Sequence, residues 1–287
     1  MQCENAKKRP MLCAVLTTLY KTDDLAQWHA ALDSVIGQKN EDIEVRVYLC
    51  VDGPIPETHE SALFHRRNDL FCIVQNEKNL GIAESLNRLI DRLGDEDFVF
   101  RMDGDDISLP GRFKAQIAWL QDHSGVDLVG CQAMDIDDRG NPVMPRSYPV
   151  EAEIAKNLLT RQNPVLHPTF CMRRSLLKDP GIRYPKAYLT EDLAFLVLMA
   201  ERGYAFGNIP QRLFQWRTGA AFFRRRTSFK RAVAELVWYG RAVWAVKGPI
   251  TSHWAFPVIR FGLRCLPTQM VKSIYKTGMR ERMARGV

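Results

Sequence analysis

What this sequence lacks narrows its class before any motif is read. Its seven cysteines, Cys3, Cys13, Cys50, Cys72, Cys131, Cys171 and Cys265, form no C-x-x-C pair and mostly lie in apolar runs. That pattern excludes a disulfide framework or a cysteine zinc site and fits buried free thiols in a reducing compartment. There is no G-x-G-x-x-G and no P-loop, so the common glycine-rich phosphate cradles are missing. No internal repeat or low-complexity segment is visible. Near the end, the longest uncharged stretch is Gly248–Ile259, 12 residues, against the roughly 20 a bilayer span needs. Acid is scarce in the last quarter: from Arg217 to Val287 there are 15 Lys and Arg against Glu235 and Glu281 alone. That segment carries +13, which leaves −6 on the first 216 residues of a chain whose net charge is +7. A mildly acidic body with a basic tail points to an anionic partner for the tail, lipid headgroups or nucleic acid.

The remainder is ordinary globular material, with 46% hydrophobic and 25% charged residues. Lys7-Lys8-Arg9 ahead of Met11–Leu19 imitates a signal peptide, but Tyr20-Lys21-Thr22-Asp23-Asp24 offers no small-residue cleavage pattern, so the run is expected to be a first buried strand. Strands are expected at Leu12–Leu19, Ile43–Val51, Phe71–Gln75 and Asp97–Met102, with helices at Leu25–Gln38, Glu57–Asn68 and Ile82–Leu93 between them. This βαβ rhythm predicts a parallel sheet covered by helices on both faces. Beyond Asp106 the rhythm changes: helices are expected at Arg112–His123 and Glu191–Arg202, and strands at Asp127–Ile136, Thr169–Met172 and Arg212–Trp216. A domain boundary is expected near Thr218–Ala221, where the charge balance flips.

The sharpest local signal is Arg101-Met102-Asp103-Gly104-Asp105-Asp106, directly after the apolar Phe98-Val99-Phe100. Ligands of open α/β sheets bind at the carboxyl ends of strands. Three neighbouring carboxylates repel one another unless a positive charge lies among them. Mg²⁺ or Mn²⁺ shared with a substrate diphosphate would supply it. The same residues also suit an exposed acidic turn, and by themselves they do not decide between the two.

The ordered set of motifs resembles the family 2 glycosyltransferases of GT-A fold, specifically the smaller bacterial members that build surface polysaccharides, over Met11 to Arg217. In that resemblance Thr17-Thr18-Leu19-Tyr20 contacts the nucleotide, with Thr17 and Tyr20 as the candidates. Ser34-Val35-Ile36-Gly37-Gln38 is similar to the family's Ser-Ile-Leu-x-Gln helix end. Asp52-Gly53 stands for the family's Asp-Asp-Gly-Ser, with Val51 and Pro54 departing from it, and Asp52 is assigned to base or ribose. Asn79-Leu80-Gly81, with Asn87 beyond, resembles the segment flanking the nucleotide. Asp103-Gly104-Asp105 matches the Asp-x-Asp metal motif, with Asp105 the direct ligand beside Asp103, and Arg101 could bind the donor or serve the fold. Thr190-Glu191-Asp192 resembles the Glu-Asp pair whose Asp is the catalytic base, though Thr190 could equally cap a helix with two acids at its positive end. Asn163-Pro164-Val165-Leu166-His167-Pro168-Thr169 resembles a stretch common in these enzymes, with His167 either lining the acceptor pocket or structural. Glu191 and Trp216 complete the acceptor side. Gln215-Trp216-Arg217 departs from the Gln-x-x-Arg-Trp of the processive synthases, and their membrane helices are missing, which favours transfer of one sugar.

The implied fold is α/β, a GT-A Rossmann-like, mostly parallel sheet with helices on both faces, catalytic over residues 1–217. Residues 218–287 are expected to be helical, basic and membrane-associating. The implied activity is inverting transfer from a nucleotide diphosphate sugar, a UDP-hexose, to a lipid-linked saccharide, with Mn²⁺ or Mg²⁺, on the cytoplasmic face of a bacterial cell membrane. In the tail, Phe222-Phe223-Arg224-Arg225-Arg226 could meet an anionic acceptor. Met270, Val271, Ile274 and Tyr275 would oppose Lys272, Lys276 and Arg280 on an interfacial helix, and Trp238, Tyr239, Trp244 and Trp254 suit the headgroup level. Alternatively the tail packs on the catalytic domain. The rival activities are a nucleotidyltransferase, whose early glycine-rich loop is missing, and a non-catalytic membrane-associated subunit, which would have lost the acidic cluster or Asp192. No nucleic-acid partner is expected, because the basic residues follow no recognisable motif.

Overall fold

The computed structural model describes residues 9–218 and 228–265. β1 (Met11–Leu19), α1 (Leu25–Ile36), β2 (Ile43–Val51), α2 (Glu57–His65), β3 (Cys72–Gln75), α3 (Ile82–Ile90) and β4 (Phe98–Arg101) alternate as the sequence pattern predicts. They are followed by β5 (Ile107–Ser108), α4 (Arg112–Asp122), β6 (Leu128–Ile136), β7 (Pro142–Arg146), α5 (Ala152–Leu158) and β8 (Cys171–Arg173). The described chain ends with α6 (Glu191–Glu201), β9 (Phe206–Arg217), α7 (Phe229–Lys247) and α8 (Ala255–Cys265).

All these strands join one sheet in the order β3-β2-β1-β4-β8-β6-β9-β5, with β7 beside β6. The block β3-β2-β1-β4 is parallel throughout. Beyond it, antiparallel β8 lies between β4 and β6, and β6 and β9 run parallel. The chain lays β2 and β3 on one side of β1 and then places β4 on the other. That reversal opens a crevice at the carboxyl ends of β1 and β4, where such sheets receive ligands.

β1 shows why the sheet is covered on both faces. Successive side chains point to opposite sides: Cys13 and Val15 pack with Trp28, Ala31, Leu32 and Val35 of α1 and with Phe113, Ile117 and Leu120 of α4. Ala14 and Leu16 face the other way, onto a core holding Leu86, Leu89 and Ile90 of α3 and Leu193 to Val197 of α6. That second core continues past residue 218, because Trp238, Tyr239 and Ala242 of α7 belong to it and α7 packs along α6. Trp238 and Tyr239 are therefore core residues, not the headgroup-level aromatics expected of them. Of the other two, Trp244 is 61% exposed, and Trp254 is half-buried and donates to the carbonyl of Pro249 at 3.0 Å. The expected arginine cluster at Phe222–Arg226 and the amphipathic helix over Met270–Arg280 lie outside the described residues.

Two strands differ from the sequence expectation for one reason, proline. β9 starts at Phe206 rather than Arg212, and its pairing with β6 shifts register around Gln132, leaving Pro210 and Gln211 without a partner residue there. β7, which the sequence pattern missed, contains Pro142 and Pro145 and pairs only with β6. Prolines in strands are confined to such edges and bulges.

Candidate active site

The acid loop leaves the end of β4 and is fixed at both sides. The Met102 amide donates to the carbonyl of Leu16 at 3.1 Å, which holds the loop's start against β1. Downstream, the Ser108 amide donates to Ser34 Oγ at 3.1 Å, and Gln38 Nε2 donates to the carbonyl of Leu109 at 3.0 Å. The Ser34-to-Gln38 motif at the end of α1 thus pins the strand that follows the acids. Arg217 closes the far side: its amide donates to Asp106 Oδ1 at 2.7 Å and its Nε to the carbonyl of Asp105 at 2.8 Å.

Held this way, Asp103, Asp105 and Asp106 each bring a carboxylate oxygen to within 4.8 Å of the others. Asp106 is fully buried, Asp103 half-buried and Asp105 at the surface of the crevice. Asp103 pairs with the buried Arg101, while Oδ2 of Asp106 has no hydrogen-bond partner among the described residues. The protein packed around the carboxyl of Asp105, and then the charges of Asp103 and Asp23, push it up to about 6. Burial, then Asp105 and Asp103, pushes Asp106 well above the usual carboxylate range. The loop is short of positive charge, and its hard oxygen donors with one orphaned buried oxygen fit Mg²⁺ or Mn²⁺. Asp23 is a fourth acid that the sequence motifs did not single out. It accepts the Tyr20 amide at 2.8 Å.

The nucleotide candidates line the same edge of the sheet. Thr17 is buried beneath the acid loop, in a small cavity shared with Trp28, Met102 and Gly104. Tyr20 is half-buried at the exit of β1. Asp52, expected at the base or ribose, has both oxygens directed into the loop after β3. It accepts from the amides of Leu80 and Gly81 at 2.8 and 2.9 Å and from Asn76 Nδ2 at 2.9 Å. Gly53 permits this closeness: its φ is +95°, and a Cβ there would stand 2.8 Å from the Asn79 amide nitrogen. Asn79 itself is exposed.

The second acidic element is the first turn of α6. Thr190 stands at the N-cap position but makes no side-chain cap, and its buried hydroxyl has no hydrogen-bond partner among the described residues, while Glu191 and Asp192 do occupy the first turn as expected. Asp192 is instead held by Asn163, whose Nδ2 donates to Oδ2 at 2.7 Å, and by its neighbour's amide, Leu193 N, at 2.8 Å from Oδ1. Glu191 accepts the Leu189 amide at 3.2 Å. Leu189 has a φ of +54°, in the left-handed region that non-glycine residues rarely adopt. Strain of this kind concentrates at functional sites.

Three residues bridge the two acidic elements. Arg112 is fully buried, and its Nη2 donates to the carbonyls of Arg101 and Pro168 at 3.3 and 3.0 Å, tying the end of β4 to the His167–Thr169 turn. Nε2 of His167 lies 3.0 Å from the Tyr184 hydroxyl. The protein around the ring, and then the charge of Arg101, depress the His167 pKa well below its ordinary value, so the imidazole is neutral. Tyr184 is clamped by Asn87, which donates to its carbonyl at 2.8 Å and accepts from its amide at 2.9 Å. Burial raises the Tyr184 pKa, Arg101 opposes the rise, and Asp192 and Asp103 add to it. Arg101, Asp103 and Asp192 therefore all lie within electrostatic reach of this one phenol. Trp216 is more peripheral, half-buried under the guanidinium of Arg146 at 5.3 Å. The sequence motifs contained Asn163 without giving it a role and missed Arg112 and Tyr184; an arginine opening a helix after a strand-end acid run carries no distinctive spacing.

Several known proteins are similar to this chain. The amylovoran biosynthesis glycosyltransferase AmsE of Erwinia amylovora is 27% identical, over 92% of this chain and 97% of its own length. The UDP-Gal:alpha-D-GlcNAc-diphosphoundecaprenol beta-1,3-galactosyltransferase of Escherichia coli is 25% identical, over 78% of this chain and 80% of its own. Among solved structures, S. aureus TarS 1-349 in complex with UDP-GlcNAc superposes with a TM-score of 0.61 at 17% identity, covering 90% of this chain and 82% of that one. The mannosyltransferase PcManGT of Pyrobaculum calidifontis, in complex with GDP-Man and Mn²⁺, gives 0.59 at 15% identity, covering 96% and 81%. These two likenesses show a shared fold. Residues 26–180 match the family described as Glycosyl transferase family 2, more than half of the chain; this chain is a glycosyltransferase and belongs to that family.

Proposed function

We propose that this glycosyltransferase moves one sugar from a nucleotide diphosphate sugar, a UDP-hexose, to a hydroxyl of a lipid-linked saccharide in polysaccharide biosynthesis, with inversion at the anomeric carbon. The observation that carries the reading is that the charges of Arg101, Asp192 and Asp103 all act on the buried Tyr184 phenol, which supports a shared crevice for the acid loop and the carboxylate held by Asn163. Support for the donor and acceptor comes from relatives: the E. coli enzyme is named for UDP-Gal and a diphosphoundecaprenol-linked sugar, and TarS was crystallised with UDP-GlcNAc.

In this reading Thr17, Tyr20, Asn79 and Gly81 shape the nucleotide site, with Asp52 organising their loop. A divalent cation, Mn²⁺ or Mg²⁺, held by Asp105 and Asp103, would supply positive charge opposite the diphosphate as it departs. Asp192 accepts the proton of the acceptor hydroxyl while that oxygen forms its bond to the anomeric carbon. The carbon–oxygen bond to the diphosphate breaks, and the electron pair leaves with the nucleoside diphosphate. General-base help of this kind is worth about 10²–10⁴-fold. Asn163 keeps Asp192 oriented through its hydrogen bond to Oδ2. Neutral His167, with Glu191 and Trp216, borders the acceptor side. Attack by the acceptor from the face opposite the diphosphate inverts the centre.

The acceptor's lipid implies a membrane surface, and an exposed apolar face on the described part of the tail supports contact with it. Phe229, Val233, Val237 and Trp244 are exposed along a single stripe of α7, and Val258 and Ile259 on α8. Among the described residues no helix is long and apolar enough to cross a membrane. This suits peripheral attachment to the cytoplasmic face of a bacterial membrane.

The test is a panel of radiolabelled nucleotide sugars offered with a short lipid-diphosphate sugar acceptor, with and without Mn²⁺. The reading predicts cation-dependent labelling of the acceptor and an inverted linkage by NMR. Release of pyrophosphate without sugar transfer, or a retained anomeric configuration, contradicts it.

A further inference from the structure

The segment that delivers Asp192 to the crevice also carries an aromatic ring that the proton transfer does not use. Residues 184–192 are anchored at both ends. At the start, Asn87 donates to the Tyr184 carbonyl at 2.8 Å and accepts from its amide at 2.9 Å, and the Tyr184 hydroxyl lies 3.0 Å from Nε2 of His167. At the end, Asn163 Nδ2 donates to Asp192 Oδ2 at 2.7 Å. Between these anchors the chain makes a tight turn, closed by the Thr190 amide on the carbonyl of Ala187 at 3.2 Å. Ala187 and Thr190 are buried. The feet of the turn are therefore set in the protein, and Tyr188 and Leu189 form its tip.

A single exposed aromatic is ordinary on a protein surface, but this one is braced. Leu189 holds a φ of +54°, at a turn position that glycine or asparagine normally fills. Glu191 Oε1 accepts the Leu189 amide at 3.2 Å and supports that conformation from the head of α6. From the other side, the ammonium of Lys230, at the start of α7, lies 4.5 Å from the centre of the Tyr188 ring, a cation–π contact. Fixed in this way, Tyr188 is still 42% exposed, four residues before Asp192.

A pyranose has the form that such a surface receives. Its axial C–H bonds make one face apolar, and its hydroxyls surround the edge. The apolar face lies on an aromatic plane, while the edge hydroxyls accept from an ammonium beside it. Tyrosine supplies a large contact area with only two side-chain torsions to fix. A hydrocarbon chain laid on the same ring would cover the ammonium and give it no partner, which is costly.

We propose that Tyr188 is a platform for the sugar of the acceptor. The ring stacks on the C–H face of that sugar, Lys230 donates to its hydroxyls, and the turn directs its attacking hydroxyl toward Asp192. The inference rests on the acceptor reading above and deepens it. It assigns recognition of the acceptor's sugar, as distinct from its lipid, to the turn at residues 187–190.

The experiment uses the full chain with UDP and Mn²⁺ present, so that the donor site is filled. The probes are undecyl diphosphate and three undecyl diphosphates bearing N-acetylglucosamine, glucose or galactose. Calorimetry reads the ratio of affinities, sugar-bearing over bare, in which any fault of folding or of lipid contact cancels. Wild type is expected to bind a sugar-bearing probe at least about fivefold more tightly than the bare one. Tyr188→Ala should bring that ratio to within about twofold of unity. Tyr188→Phe, which preserves the stacking face, should keep at least about half of it. Lys230→Met should lower it by about twofold to fivefold. A ratio in Tyr188→Ala equal to that of wild type overturns the proposal and leaves the ring as a tie between the turn and α7. A ratio lost as fully in Tyr188→Phe as in Tyr188→Ala overturns it too, as does a wild type that prefers no sugar-bearing probe. None of these results touches the acceptor reading, which fails separately, if no diphosphate-linked sugar is ever glycosylated.

Discussion

Glu235→Gln isolates the tie that holds α8 to α7. Burial alone would raise the pKa of Glu235, but Arg260, Arg264 and Arg231 more than reverse this and bring it from 4.5 to about 2. At roughly 1.4 kcal/mol per unit, the interaction stabilises the fold by about 3 kcal/mol at neutral pH. Breaking a buried ion pair typically costs a similar 3–5 kcal/mol. The direction with pH follows from the depressed folded value: the stabilisation is fully present above the unfolded pKa of 4.5 and is lost as pH falls through about 2. The difference between wild type and Glu235→Gln should thus shrink to less than half its neutral-pH size by pH 3. Urea unfolding of both proteins at pH 7, 5, 4 and 3 measures it. A difference that stays constant from pH 7 to pH 3, or one below about 1 kcal/mol at pH 7, refutes the reasoning and returns the cluster to a solvated surface network.

Asn163→Ala removes the amide that orients Asp192; a hydrogen bond to a charged group is worth about 1.5–3 kcal/mol, so kcat should fall roughly 10- to 150-fold with the donor KM unchanged, and a kcat within twofold of wild type sinks that role. Gly53→Ala forces a Cβ against the Asn79 amide at a positive φ, so nucleotide affinity should fall with a loss of about 1–3 kcal/mol in stability, and calorimetry showing unchanged binding contradicts the claim that Gly53 shapes the loop. Val237→Glu with Trp244→Glu places charge on the exposed stripe of α7, so sedimentation with phosphatidylglycerol vesicles should drop at least fivefold while the thermal midpoint stays near that of wild type, and unchanged sedimentation rejects the stripe as the contact.

The alternation of apolar runs with amphipathic stretches made the β1-to-β4 block legible, because fully buried parallel strands such as Met11–Leu19 have no other place in a soluble core. Beyond β4 the same reading weakened. β7 and the first half of β9 hide behind Pro142, Pro145 and Pro210, and β5 is only two residues long. The acid run and Asp192 could be found in sequence since each rests on contiguous residues. How the two lie relative to each other could not, because it runs through contacts made only in the folded chain: Arg112 on the carbonyls of Arg101 and Pro168, and Tyr184 between Asn87 and His167. In the tail, composition revealed the charge excess but not its arrangement. One acid among many bases looks incidental until α7 and α8 fold together and place three arginines on Glu235. Trp238 and Tyr239 show the converse error: aromatics in a basic segment suggested an interface, whereas their spacing along α7 buries them against α6.

In the proposed reaction the carboxylate at the head of α6 performs the proton transfer for a donor bound at the acid loop. Asp192→Asn keeps the shape of the side chain and removes its basicity, so paired measurements of nucleotide-sugar affinity by calorimetry and of sugar transfer by radiolabel test the claim directly. Donor binding is expected at the wild-type affinity, with transfer reduced by about 10²–10⁴-fold. Turnover by Asp192→Asn at the wild-type rate contradicts it.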